Sequence, residues 1–249
     1  MLEEEYPILK NAPITEALID IRVKLRKDFD ISQLEPIYNK ISEQYLIKKI
    51  GKRREDKITI EEGKPTISAG EEIVYGYRYI SDDKKQIFQA RIDGFTLNRL
   101  KPYITWENMR DEAYRLWKIY ADFTSPELIT RVALRYINNL NIPMPIKDFG
   151  DFLTAPPIVP EKLPQEVSSF LNRVEIYEPS LSVFGIIIQA LEQIIDPKFA
   201  PIILDIDVFK QKQDGFEEKD AWETIEKLRH FKNKIFFNSI TDKLKEVYK

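Results

Sequence analysis

From Ala17 to Leu25 the chain alternates, with Ala17, Ile19, Ile21, Val23 and Leu25 on one face and Glu16, Asp20, Arg22 and Lys24 on the other, where Leu18 is the apolar exception. A period of two with one apolar face predicts a half-buried strand of an antiparallel or mixed sheet. The period then lengthens. Leu34, Ile37, Tyr38, Ile41 and Tyr45 recur at helical spacing, and Ser32 with Glu35 makes a capping-box start for a helix to about Gln44, with Pro36 in its first turn. Strands are expected around Lys57 to Glu62, Glu72 to Ile80 and Gln86 to Leu97, separated by the turn-forming stretches Glu62-Gly63-Lys64-Pro65 and Ser81-Asp82-Asp83-Lys84. A helix from about Thr105 to Phe123 then aligns Met109, Ala113, Leu116, Trp117 and Tyr120 on one stripe, which is core by default.

The order repeats. A strand from Ile129 to Ile142 leads into a Pro-rich loop (Pro143 to Pro164) with a short helix near Lys147 to Leu153. Strands near Phe170 to Tyr177, Leu181 to Gln193 and Ile202 to Lys210 precede a long helix from an Asp220 cap to about Tyr248. Ile14 to Arg22 is echoed by Ile129 to Ile137, Arg91 to Phe95 by Asp205 to Phe209, and Trp106 by Trp222, at an offset of about 115 residues. The expected fold is therefore α+β: two tandem pseudo-repeats of β-α-β-β-β-α, residues 1-127 and 128-249, as two domains or one fused domain, with helices on one sheet face. On that alignment Asp20 corresponds to Arg135, and Asp93 to Asp207. An alternative grouping gives the Ile129 strand to the first half, closer to a β-α-β-β-α-β ferredoxin-like unit.

Composition narrows the chemistry. The 249 residues carry a formal net charge of -3, with 43% hydrophobic and 32% charged residues, which fits a globular chain and argues against a dominant nucleic-acid-binding surface. Without cysteine there is no disulfide, thiolate metal site or thiol nucleophile. The acidic start Met1-Leu2-Glu3-Glu4-Glu5 is unlike a signal peptide, and the apolar run Val183 to Ala190 is too short to span a bilayer, so a cytoplasmic location away from membrane is expected. Neither phosphate-cradling glycine motif occurs, nor a Gly-x-Ser-x-Gly elbow that would employ the single histidine, His230. Asp205 and Asp207 project to one side of a strand, with Asp196 upstream, but have no third ligand at a recognisable spacing, so neither a metal nor another cofactor is assigned. The basic run Lys48 to Arg54 is followed at once by Glu55 and Asp56 and reads as a solvated hairpin end. Surplus aromatics such as Tyr114 mark a candidate dimer face.

If the apolar strand faces meet the helices, the polar faces share one surface. It would carry Asp20, Arg22, Gln89, Arg91, Asp93, Arg131, Arg135 and Asn139, with Asp205 and Asp207. Planar guanidinium groups grip carboxylate or phosphate in bidentate fashion, so Arg22, Arg91, Arg131 and Arg135 are the candidate ligand contacts and Asp20 and Asp93 their orienting partners. The bland alternative is a solvated face of cross-strand ion pairs.

Four stretches resemble a sporadically distributed family of uncharacterised prokaryotic proteins: Asn11-Ala12-Pro13-Ile14 with Glu16-Ala17, Asp93-Gly94-Phe95, Leu134-Arg135-Tyr136-Ile137-Asn138, and Phe237 with Ser239-Ile240-Thr241. The resemblance spans essentially the whole chain and implies no activity, cofactor or catalytic residue. Patchy distribution implies a link to defence or toxin-antitoxin systems. The expected function is a non-enzymatic binding or interaction protein recognising a protein segment, a second copy of itself, or a small polar or anionic ligand. Charge reversal at Arg131 and Arg135 is expected to abolish partner capture without moving the thermal midpoint. The alternative is a nucleic-acid-binding or RNA-processing protein of tandem ferredoxin-like type.

Overall fold

A computed structural model describes residues 6–54, 57–61, 64–68 and 72–249. The expected turn at Glu62-Gly63 and the acidic start Met1 to Glu5 lie outside the described residues. The chain is α+β; the described residues form four α-helices, a nine-stranded sheet and a separate two-stranded hairpin. In chain order the strands are β1 (Ile14–Lys24), β2 (Ile47–Arg54), β3 (Lys57–Glu61), β4 (Lys64–Ser68), β5 (Glu72–Ile80), β6 (Gln86–Arg91), β7 (Gly94–Leu100), β8 (Leu128–Pro143), β9 (Leu171–Glu178), β10 (Val183–Leu191) and β11 (Phe199–Phe216). The helices are α1 (Ile37–Ile41), α2 (Trp106–Thr124), α3 (Glu218–Ser239) and α4 (Asp242–Tyr248).

The main sheet runs β2-β5-β6-β7-β1-β8-β11-β10-β9, with every pairing antiparallel. β1 and β8 pair along nearly their whole length, from Ile14 opposite Asn138 to Lys24 opposite Leu128, so the sheet is continuous across its middle. The Ile129 strand is accordingly shared between the two groups of strands.

Alternation explains the layers. Ala17, Ile19 and Ile21 of β1, Leu134 and Tyr136 of β8, and Leu204, Ile206 and Val208 of β11 are buried on the helix side, where Trp117 and Tyr120 of α2 and Ile225 and Leu228 of α3 join them. Thr105 caps α2 by accepting from the Asn108 amide, as its Thr105 start predicts.

Several expectations are corrected. The strand foreseen from Gln86 to Leu97 is two strands with a tight turn at Ile92-Asp93; Gly94 follows with a φ of +152, where an added Cβ would lie 2.3 Å from the Ile21 carbonyl oxygen. Asp93 is thus a turn residue while Asp207 sits inside β11, so those two positions do not correspond. The basic run Lys48 to Arg54 lies in β2, an edge strand pairing with β5, where lysines discourage further pairing, whereas β3 pairs with β4 outside the main sheet. The Ser32 capping box is replaced by Asp30, whose carboxylate accepts from the Ser32 amide to start a 3-10 turn (Ile31–Leu34); Pro36 then separates that turn from α1. The last helix begins at Glu218 after Glu217, not at an Asp220 cap, and it breaks at Ile240, after which Thr241 caps α4. Between β8 and β9 only a 3-10 turn (Phe149–Asp151) stands where a short helix was expected.

Candidate functional site

The sheet face opposite the helices is open, and strand register decides what gathers there. Leu18, Asp20 and Arg22 of β1 lie directly across from Arg135, Ala133 and Arg131 of β8, while Thr96 of β7 faces Asp20 from the other side and Asp207 of β11 faces Arg135. Residues opposed in an antiparallel pair share a face. The short Ala133 at the centre, ringed by long polar side chains, leaves a depression of about 520 Å³.

Asp20 is its hub. One oxygen accepts from Arg22 Nε at 3.0 Å and Arg131 Nη1 at 3.2 Å; the other accepts from Arg91 Nη2 at 2.9 Å and the Thr96 hydroxyl at 2.7 Å. Thr96 in turn accepts from Arg91 Nη1 at 2.5 Å. Asp93, from the β6–β7 turn, pairs with Arg22 and accepts from Arg91 Nε at 3.0 Å. Arg135 closes a bidentate pair on Asp205, with Nε at 2.9 Å and Nη2 at 2.5 Å, and Arg131 reaches Asp207 at 3.4 Å while its guanidinium lies 4.5 Å over the Phe209 ring. Five of the six predicted site residues therefore meet in one network, and Arg135 stands on the same face in a separate pair with Asp205.

Its members differ in accessibility. The side chains of Arg91 and Arg131 are 10% and 19% exposed, whereas Arg22 and Arg135 are 40% and 45% exposed. Every nitrogen of Arg91 is engaged, so it is a strut between strands. Arg22 Nη2 and Arg135 Nη1 donate to no partner among the described residues and remain as available donors. The expectation that charge reversal at Arg131 and Arg135 leaves the thermal midpoint nearly unchanged meets the ion pairs that both arginines make. Asp205, with a side chain 9% exposed, has Arg135 as its ion-pair partner, and Arg131 ties Asp20 to Asp207. Removing one member of a buried pair leaves the other uncompensated.

Electrostatics separates the two central carboxylates. Burial alone would raise the Asp20 pKa, but Arg91 and then Arg22 outweigh it and hold the carboxyl below its ordinary value. Asp207 goes the other way: burial raises its pKa, and Arg131 and Arg135 offset only part of that. Arg91 is likewise held in its charged form, since Asp20 outweighs the cost of its burial.

A second feature of this face escaped the sequence reading. Tyr177 of β9, Phe184 of β10 and Phe209 of β11 stand in register and form a ring row with centroids 4.9 and 5.4 Å apart, continuing from Arg131. Tyr177 and Phe184 are 52% and 37% exposed. The available signal was that Phe184, Ile186 and Ile188 alternate with Val183, Gly185 and Ile187, which makes β10 apolar on both faces although only one meets helices. Tyr114, the candidate dimer marker, is 46% exposed and packs edge-on to Trp222. Asp205 and Asp207 are engaged by arginines, and no group of three or more potential metal ligands occurs among the described residues.

The fold and this face define an α+β protein with an open antiparallel sheet surface bearing an arginine–aspartate network beside an aromatic row. No family model matches the chain, and no curated protein matches it. Among the described residues no helix is long and apolar enough to cross a membrane.

Proposed function

We propose that the chain is a non-enzymatic binding protein that takes a segment of a partner protein on the open sheet face. The observation that carries this reading is that one sheet face holds both outward guanidinium donors and exposed rings: Arg22 and Arg135 each offer an unengaged Nη there, and Arg131 leads into the Tyr177, Phe184 and Phe209 row. Aromatic and arginine side chains are the groups that dominate binding energies at protein interfaces. A small polar ligand would use the guanidinium donors and leave the rings uncovered, so a segment with apolar and carboxylate side chains fits more of the face.

The same reading takes the chain as two fused pseudo-repeats, residues 1-127 and 128-249. Pairing order supports it: β1 pairs with β7 as β8 pairs with β11, and β6 follows β7 across the sheet as β10 follows β11. With Asp20 aligned to Arg135, the residues facing them are Thr96 and Asp207, so the matched position reverses its charge and its neighbour is charged in the second half alone. Across the β1–β8 seam Asp20 is neutralised by Arg131, while Arg135 pairs with Asp205 within its own half.

The test uses positions that leave no buried charge behind. Arg22→Gln leaves Asp20 with Arg91 and Arg131, and Phe184→Ser touches an exposed ring. Each is expected to weaken partner capture at least about tenfold while moving the thermal midpoint by no more than about 2 °C, as surface substitutions do. Lys219→Glu, 87% exposed on α3, is the control that leaves capture intact. Unchanged capture by both variants would refute the assignment, and a mobility shift on RNA that weakens steeply with salt would favour a nucleic-acid ligand instead.

A further inference from the structure

On the helix side of the sheet, between the N-terminal half of α2, the β5–β6 turn and the residues just after α1, lies a cleft of about 460 Å³. Its floor is apolar: Tyr45, Leu97 and Met109 are buried, while Ile104 stands exposed at the rim. We infer that this cleft binds a free α-amino acid with an apolar side chain.

The polar groups on its walls are of two kinds. Glu112 is saturated, taking Arg115 Nε and Nη2 at 2.8 Å each and the Tyr45 hydroxyl at 2.8 Å. Arg99, half-buried on β7, makes no hydrogen bond or ion pair among the described residues, although a buried or half-buried guanidinium ordinarily finds an acceptor. Across the cleft Asp83 uses only Oδ1, which accepts from the Ser81 hydroxyl at 2.5 Å and the Lys85 amide at 2.9 Å, and those bonds hold its pKa below the ordinary value. Its Oδ2 accepts no hydrogen bond among the described residues, on an exposed side chain that lines the cleft. A guanidinium and a carboxylate oxygen that make no hydrogen bond, near enough for the Arg99 charge to act on Asp83, stand over an apolar floor and match a molecule that carries both charges on a short backbone and an apolar body.

Other small ligands fit less well. A bare phosphate or dicarboxylate would meet Arg99 but also Asp82, Asp83 and Glu43 around the same opening, and a simple amine would meet Arg99. A volume in the lower part of the range for small-molecule pockets suits an amino acid rather than a nucleotide. The site lies on the sheet face opposite the arginine–aspartate network and shares no lining residue with it.

Thermal melting of the full chain with each proteinogenic amino acid at millimolar concentration, followed by calorimetric titration of any that stabilise it, tests the inference. Leucine, methionine or phenylalanine is expected to raise the midpoint. For leucine, the decarboxylated analogue isoamylamine and the N-acetyl derivative are each expected to bind at least about tenfold more weakly, as loss of a charge-assisted contact implies. Arg99→Gln is expected to lose the same factor with an unchanged circular dichroism spectrum, while Lys219→Glu binds as wild type. If Arg99→Gln does not fold, the two analogues decide the matter in the native protein. No stabilisation by any apolar amino acid, equal binding of isoamylamine, or undiminished binding by a folded Arg99→Gln would each overturn the assignment.

Discussion

Asp20→Ala is expected to lower stability by about 3–5 kcal/mol, because it withdraws the one carboxylate shared by three guanidinium groups and leaves them facing each other. For a chain of 249 residues that is a fall of roughly 10 °C in thermal midpoint. The pH dependence fixes the cause. The folded pKa of Asp20 lies below its ordinary 3.8, so the stability it contributes is complete above that value and is lost as pH falls through the lower folded pKa. The penalty of the substitution, read from denaturant melts of wild type and variant side by side, should thus be full at pH 7 and shrink in acid below pH 3.8. Removing the partner charge as well should restore part of the loss, so Asp20→Ala combined with Arg91→Met is expected to cost less than the sum of the single changes. A loss at pH 7 under about 1 kcal/mol, or one that ignores pH, would mean that the network is only the solvated charge pattern of an ordinary sheet face. Asp207 supplies an internal contrast: its raised pKa marks a carboxylate that is poorly compensated when ionised, and Asp207→Asn should cost little at neutral pH.

The layers of this fold were legible wherever one strand face was buried and the other was not. In β1 and β8 burial enforces the alternation itself, so Asp20, Arg22, Arg131 and Arg135 could be placed on one surface before any pairing was known. What one strand cannot reveal is which strand lies beside it. The contacts of Asp20 with Thr96, and of Arg135 with Asp205, follow from long-range register, and so does the division of labour between buried struts and outward donors. The β6–β7 turn was hidden because Ile92 carries the apolar pattern across it, with only Gly94 to betray the reversal. The α3–α4 break was hidden similarly, since Ile240 is buried and continues the apolar stripe while its backbone is extended.

The network also shows why pairing alone does not argue against a binding role. Asp20, Asp93, Asp205 and Asp207 fix the orientation of four arginines that would otherwise pay side-chain entropy on meeting a partner. Those carboxylates occupy the inner edges of Arg22 and Arg135 and leave an outer edge of each in a defined position. A face built this way selects for acceptors at fixed places next to an apolar row, which is the arrangement a protein segment can satisfy along its length.

Lys232→Met is expected to stabilise the protein at mildly acidic pH, the opposite of the usual consequence of altering a partly buried charge. Lys232 projects from α3 with its ammonium 3.9 Å above the ring of Tyr136, whose hydroxyl is 3.0 Å from that of Tyr103, and it has no carboxylate partner among the described residues. The nearby Glu226 is already engaged by Trp106 and Arg110. Burial, and then the neighbouring Arg229, push the Lys232 pKa down from 10.5 to about 7. The unfolded chain therefore holds a proton up to about 10.5 that the folded chain gives up near 7, and stability rises with pH across that window. That fall corresponds to at most roughly 5 kcal/mol. Water reaching the partly exposed side chain and the cation–π contact reduce the expected effect to about 2 kcal/mol. The Met variant should melt about 4–8 °C above wild type at pH 6, where the folded lysine is charged, and the gap should narrow steadily toward pH 10 as that charge disappears from wild type as well. A variant that melts below wild type at pH 6, or a gap that stays constant from pH 6 to pH 10, would show that the ammonium over Tyr136 is adequately solvated and remains charged in the native state.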